Sequence, residues 1–255
     1  CFREAINTFL LADAEVVPHP VDEEGIVLNE RPCDYYYVTP GHQVPTGVTM
    51  SSARRRQLLE HAARHDAVII EDDYDSESNF TLNPLPALKA SDRSGRVVYV
   101  SSLSKALSPG LRLGFMVADP DLIDEARALR RLVYRHPPTN IQYQMAHFLA
   151  QGHYETHLRR YHYDSAQRWE RLHAALQRYL PSCRALAGSE HANAFWLQTP
   201  AQINTQQLTW RAAHAGVLIE PGARHFLSTA PPDNYFRMGF HAINPDAIAQ
   251  GVEVL

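Results

Sequence analysis

Lys105 stands in the run Ser101-Ser102-Leu103-Ser104-Lys105, directly after an apolar stretch, and is one of only two lysines in a chain with twenty-two arginines. Thirty-three residues upstream, Asp72 sits in Glu71-Asp72-Asp73-Tyr74-Asp75, which also follows an apolar run, Ala67-Val68-Ile69-Ile70. Arg112 comes seven residues after the lysine. An amine, an acid, a phenol and a guanidinium, each at or just past a strand end, suit a phosphorylated aldehyde cofactor held as a Schiff base. In such a site Asp72 would keep a pyridine nitrogen protonated, Tyr74 would stabilise the ring's phenolate oxygen and Lys105 would form the imine. Ser102, Ser104 and Arg112 would supply the hydroxyl donors and the fixed cationic fork that a phosphate dianion needs.

Each of these residues also has a plainer reading. An acidic run such as Asp72 to Asp75 is ordinarily a solvated turn or, less often, a metal site. As a calcium loop of the EF-hand type it would place Glu77 where glycine is required. Ser102-Leu103-Ser104-Lys105 satisfies the Ser-x-x-Lys nucleophile motif, but neither lysine is followed by the Thr-Gly that the penicillin-interacting enzymes also need. Fourteen histidines include His153 and His157 at helical spacing. No His-Glu-x-x-His accompanies them, so no metal is expected. Arg237, between Phe236 and Met238, is either a half-exposed structural arginine or, aimed into a cleft, a clamp for a substrate carboxylate.

The elements that must position these groups follow from periodicity. Strands are predicted at Glu15-Val16-Val17, Tyr35 to Val38, Ala67 to Ile70, Val97 to Val100 and Leu113 to Ala118, with a helix from Ser52 to Ala62 between the second and third. Strand, helix and strand make a βαβ unit, the building block of a parallel sheet. Ligands of such sheets gather beyond the carboxyl ends of the strands, where Asp72, Tyr74, Ser102 and Lys105 fall. From Asp121 the pattern becomes helical, with a break at Pro137-Pro138, and a long amphipathic segment runs from Tyr154 to Leu180. Further short strands are predicted at Ala194 to Leu197, Val217 to Ile219 and Tyr235 to Phe240. The pattern divides the chain into residues 1–153, a large α/β cofactor-binding domain, and residues 154–255, a connecting helix and a smaller α+β domain.

Composition narrows the function classes. A net charge of -4 and a pI near 6.4 give no general attraction to nucleic acid. Three cysteines, Cys1, Cys33 and Cys183, without a Cys-x-x-Cys pair imply a reducing compartment. No apolar stretch reaches the roughly 18 residues of a membrane span, and the first residues lack the order of a signal peptide, so a cytoplasmic protein is expected.

Taken together, Ile69-Ile70-Glu71-Asp72-Asp73-Tyr74-Asp75-Ser76-Glu77, Leu85-Pro86-Ala87-Leu88-Lys89, Ser102-Leu103-Ser104-Lys105 and Gly110-Leu111-Arg112-Leu113-Gly114 resemble the aminotransferase-like domain of MocR-type regulators in the GntR family. The likeness begins at Val21-Asp22-Glu23-Glu24-Gly25 and continues through Gly216 to Gly222 and Phe236 to Phe240. The resemblance implies a fold-type I pyridoxal-phosphate domain, truncated at its N-terminus, that works as a homodimer. It makes Lys105 the Schiff-base lysine, Asp72 the partner of the pyridine nitrogen and Tyr74 that of the ring oxygen. Ser102, Ser104 and Arg112 would hold the phosphate, and Arg237 the carboxylate of an amino acid. In ordinary class I aminotransferases an asparagine precedes the proline of the turn that here reads Val44-Pro45-Thr46-Gly47, so one ring contact is missing. The implied function is an effector domain that senses an amino acid or amine by aldimine exchange, with DNA bound only through a winged-helix domain preceding Cys1. A catalytically active class I/II aminotransferase and a relative that keeps the fold without the cofactor remain as alternatives. The resemblance also places a phosphate-binding loop before Cys1. The fragment alone is therefore expected to bind cofactor weakly or to be poorly soluble, and its shortened sheet to expose an apolar edge.

Overall fold

The computed structural model describes residues 2–29, 31–75, 77, 84–186 and 193–255, so Cys1 and Ser76 of the acidic motif lie outside the described residues. In chain order the elements are α1 (Arg3–Leu11), β1 (Val21–Asp22), β2 (Gly25–Ile26), β3 (Tyr35–Val38), α2 (Ser52–Arg64), β4 (Val68–Asp73), α3 (Leu88–Ser91), β5 (Val97–Ser102) and β6 (Gly114–Val117). There follow α4 (Pro120–Tyr134), α5 (Thr139–Ala150), α6 (His153–Tyr179), β7 (Arg184–Ala185), β8 (Ala194–Gln198), α7 (Thr205–His214), β9 (Glu220–Pro221), β10 (Tyr235–Gly239) and α8 (Ile248–Glu253). Contacts group these into two compact units, one of Leu28–Gly41 with Met50–Tyr163, the other of Cys1–Val27, His42–Thr49 and Asp164–Leu255. By contacts the two units meet between Tyr163 and Asp164, within α6. A continuous helix carries its hydrogen-bond ladder past such a point and leaves no mark in the sequence.

The first unit is built on a sheet of order β3-β4-β5-β6. β3 and β4 are parallel, with Tyr36 opposite Ile69, and so are β4 and β5, with Asp72 opposite Val100. β6 runs antiparallel to β5, with Ser102 opposite Gly114, because the intervening loop is too short for a crossover. Glycine is required at 114, since a Cβ there would lie 2.6 Å from the Ser101 carbonyl oxygen. β6 lies at the edge of this sheet, and Phe115 and Val117 are 46% and 45% exposed.

One face of this sheet is covered by α2, whose first turn is capped by Ser51 Oγ accepting from the Arg54 amide at 3.1 Å. Leu58 and Ala62, one turn apart, are buried, and His61 meets Tyr36 Oη at 2.8 Å. Arg55 of the same helix is buried as well, and donates to the carbonyls of Met50 (2.9 Å), Pro86 (2.6 Å) and Pro40 (3.0 Å). Burial pushes its pKa down, while Glu71 and Asp73 pull it back up.

The second unit carries an antiparallel sheet of order β7-β8-β10-β9, with Phe236 opposite Leu197 and Arg237 opposite Trp196. Its core joins Phe195, Leu197, Phe236, Met238 and Phe240 to Leu172 and Leu176 of α6, Ala212 of α7 and Ile248 and Val252 of α8.

Two predicted strands are absent. Glu15-Val16-Val17 is irregular, and the backbone pairs instead in the hairpin of β1 and β2. β-Branched residues do not make a strand without a partner, and Pro18 and Pro20 remove donors beside them. Val217 to Ile219 is irregular too. Gly216, at φ 85°, ends α7, and the Val217 amide closes that helix end on the Ala212 carbonyl at 2.8 Å, so pairing begins only at Glu220.

Candidate cofactor site

The carboxyl end of β4 carries three acids in succession, and strand alternation sends Asp72 to one face and Glu71 and Asp73 to the other. Glu71 is 1% exposed and accepts the Leu88 amide at 2.7 Å and the Lys89 amide at 2.9 Å, capping the start of α3. Burial pushes its carboxyl up, and those two amides pull it back. Asp73 accepts from Tyr99 Oη at 2.7 Å, and its carbonyl from Ser101 Oγ at 3.0 Å. Asp72 accepts a short hydrogen bond from Tyr37 Oη. Burial raises the Asp72 pKa, the Tyr37 hydrogen bond lowers it, Asp75 raises it and the charge of Lys105 lowers it.

Beyond β5 the chain folds back on itself. The Ser104 amide donates to Ser102 Oγ at 3.2 Å. The Leu113 amide donates to the buried Ser104 Oγ at 3.3 Å, and the Leu103 amide to the Leu113 carbonyl at 2.9 Å. These bonds bring Arg112 to the loop that bears Lys105. Arg112 follows a 3-10 turn at Pro109–Leu111 and adopts φ 48° and ψ 41°, a left-handed conformation uncommon outside glycine. Lys105 Nζ lies 4.0 Å from the centroid of the Tyr74 ring. The other lysine is engaged in its own element, since Lys89 Nζ donates to the Val97 carbonyl at 2.7 Å and to Asp92 at 3.4 Å.

The start of α6 fixes the same loops. His157 Nε2 donates to the Ala106 carbonyl at 2.7 Å, next to Lys105, and His162 Nε2 to the Glu77 carbonyl at 2.6 Å. Tyr154 Oη donates to Glu77 Oε1 at 2.8 Å, and burial, then that carboxylate, raise its pKa. The histidine row thus ties loops together, and among the described residues no cluster of metal-ligating side chains occurs.

Six of the seven sequence-derived residues, Asp72, Tyr74, Ser102, Ser104, Lys105 and Arg112, therefore lie in one unit, at or just past the ends of β4 and β5. Arg237 belongs to the other unit, where Nη1 meets Glu220 at 3.4 Å and Nη2 meets Asn193 at 3.2 Å. Glu220 is pushed down to about 2, chiefly by a hydrogen bond from His225 and then by the charges of His225, Arg237 and Arg224. In the Val44 turn, Gly47 takes φ 78° and its amide donates to the Gln43 carbonyl at 2.7 Å. Tyr37, Tyr99 and Glu71 were not singled out from the sequence. Period-two alternation was the available signal for Tyr37, since it puts Tyr37 and Asp72 on one face of paired strands.

Residues 38–255 match the family described as aminotransferase class I and II, and the chain belongs to that family. Among its relatives, the HTH-type transcriptional regulator TauR of Rhodobacter capsulatus is 38% identical over 94% of this chain and 50% of that protein. The probable rhizopine catabolism regulatory protein MocR of Rhizobium meliloti is 34% identical over 98% of this chain and 51% of that one. The chain thus spans about half the length of these relatives, and its likeness to MocR-type regulators agrees with its motifs. Among solved structures, the multiple substrate aminotransferase of Thermococcus profundus matches with a TM-score of 0.91 at 27% identity, over 99% of this chain and 66% of that one. LysN, the alpha-aminoadipate aminotransferase of Thermus thermophilus, complexed with N-(5'-phosphopyridoxyl)-L-leucine, matches with a TM-score of 0.90 at 27% identity, over 99% and 67%. The fold is the aminotransferase-like α/β arrangement expected from the sequence, with its smaller α+β part.

Proposed function

We propose that this chain is the pyridoxal-phosphate-binding effector domain of a MocR-type transcriptional regulator, and that it senses an amino acid or amine at Lys105. The observation that carries the reading is the position of the Lys105 amine, 4.0 Å from the Tyr74 ring, with its charge felt by the half-buried Asp72. The donor set fits the cofactor. It offers a half-buried acid for a ring nitrogen, a phenol for a ring oxygen, an amine for an aldehyde, and two serines with an arginine for a phosphate. Bound pyridoxal phosphate supplies an aldehyde that condenses with amines and a ring that withdraws electrons once its nitrogen is protonated. Asp72 would hold the proton at that nitrogen, Ser102, Ser104 and Arg112 would bind the phosphate, and Arg237 would take the carboxylate of the effector, its guanidinium aimed by Glu220 and Asn193.

Sensing requires that the effector bind two conformations unequally, because a ligand shifts an equilibrium only by its difference in affinity. Lys105 would hold the cofactor and be freed when an effector amine replaced it, and the loop fastened by Ser104 and His157 would be the element to respond. TauR and MocR, both named as regulators, support this branch, as does Val44 in place of asparagine. DNA contacts would belong to a winged helix outside this chain, and the assembly would be a cytoplasmic homodimer. The test is operator binding by the full-length protein with and without a panel of amino acids and amines. An effector response lost in Lys105→Ala is expected, and a response unchanged by that substitution would refute the reading.

A working aminotransferase is the second reading, favoured by the two aminotransferase structures matched at TM-scores of 0.91 and 0.90. Lys105 would then also act as the base that moves a proton at the substrate α-carbon. Multiple turnovers of an amino donor and a keto acid would establish it.

A further inference from the structure

We infer that Tyr37 is a positioning residue for the cofactor ring: its hydroxyl grips one carboxylate oxygen of Asp72 and leaves the other to the pyridine nitrogen. The inference rests on the assignment of Asp72 above. In the parallel pairing of β3 and β4, Tyr37 lies opposite Ile70, two residues before Asp72 and on the same face, so its side chain reaches the acid diagonally. The Tyr37 hydroxyl donates to Asp72 Oδ2, so Oδ1 would be the oxygen that meets the pyridine nitrogen.

A phenol here does more than fill space. Asp72 is partly buried, and burial favours its neutral form, which cannot hold a pyridinium. The groups that act on it are Tyr37 from β3, Asp75 from the turn after β4 and Lys105 from the loop after β5. Asp75 opposes the charge on Asp72, whereas Tyr37 and Lys105 favour it. Of the two groups that favour the charge, Tyr37 is the one that meets the carboxylate in a direct hydrogen bond, from a strand paired with β4. The phenol is itself a reliable donor, because burial and the neighbouring Asp72 push its pKa upward.

The test is Tyr37→Phe in the full chain, with pyridoxal-phosphate affinity measured across mildly acidic to mildly alkaline pH. A hydrogen bond to a charged group predicts a dissociation constant raised about tenfold or more. Loss of affinity on acidification should also begin at higher pH than in the wild type, a shift that simple loss of packing would not produce. In an Asp72→Asn background the same substitution should add little. Wild-type affinity and an unmoved acid limb in Tyr37→Phe would overturn the inference while the cofactor assignment stands. Absence of any Lys105-dependent visible band in the wild type would instead overturn the assignment beneath it. Should Tyr37→Phe not fold, 3-fluorotyrosine placed at position 37 keeps ring and hydroxyl but donates more strongly. The acid limb should then move to lower pH, and no movement would refute the role.

Discussion

β10 and β4 are inner strands of the two sheets, and they bury opposite chemistry. β10 places Phe236 and Met238 against Phe195, Leu197 and the apolar faces of α6, α7 and α8. β4 begins in the same manner with Ile69, fully buried, and then carries Glu71, Asp72 and Asp73 into partly or wholly buried positions. Apolar burial stabilises in proportion to area, whereas a buried carboxylate costs free energy unless a specific donor meets it. Each acid of β4 has such a donor: two amides for Glu71, Tyr37 for Asp72 and Tyr99 for Asp73. Two of those three arrangements are complete within the protein. Of the three, Asp72 is the one on which the charge of Lys105 acts, which is why it, and not its neighbours, is proposed to meet a ligand.

The contrast predicts where substitutions act. Phe236→Ala should have the largest effect, a loss of about 3–5 kcal/mol of stability from the cavity it leaves, measured by denaturant unfolding. Glu71→Ala comes next. It strands the Leu88 and Lys89 amides at the start of α3, and an unsatisfied buried donor costs about 1–3 kcal/mol. Asp72→Asn should leave unfolding near that of the wild type while weakening cofactor binding, so a large stability loss there would break the distinction between the acids.

Acid should also separate the two regions. Glu71, Asp72 and Asp73 all have raised pKa values, so what they contribute to stability is greatest below the ordinary carboxylate range and falls as pH rises through their elevated values. Glu220 runs the other way. Its stabilisation is present above the ordinary glutamate value, about 4.3, and is lost as pH falls towards its own value of about 2. Hydrogen exchange followed from neutral to acid pH should therefore show protection fall around β9 and β10 while β4 holds or gains, and parallel loss in both would contradict the assignment. The smallest effects should come from exposed ion pairs, Arg96 with Asp66 in one unit and Arg171 with Asp246 in the other. Asp66→Asn and Asp246→Asn should each shift stability by less than about 1 kcal/mol.

Much of this arrangement was legible in the residues because short-range physics determines it. The runs that became β3, β4, β5 and β10 are apolar and bounded by turn residues, and the polar clusters after β4 and β5 fall where a parallel sheet binds ligands. The rest depends on partners far apart in sequence. Glu71 reads as one more acid in a turn until α3 is seen resting on it, and Tyr37 reads as strand filler until register brings it to Asp72. Val217 to Ile219 has strand composition, yet a helix end takes up its first amide. The return of the N-terminal residues to the C-terminal unit likewise has no local signal.

The central claim is that Lys105 is the amine that carries the cofactor, and a chain with only two lysines allows a direct test. The protein would be treated with pyridoxal phosphate, reduced with borohydride, and its peptides weighed. The account predicts one pyridoxyl adduct, on the peptide bearing Lys105, and none in Lys105→Ala. An adduct on Lys89, or equal labelling of the Lys105→Ala protein, would contradict it.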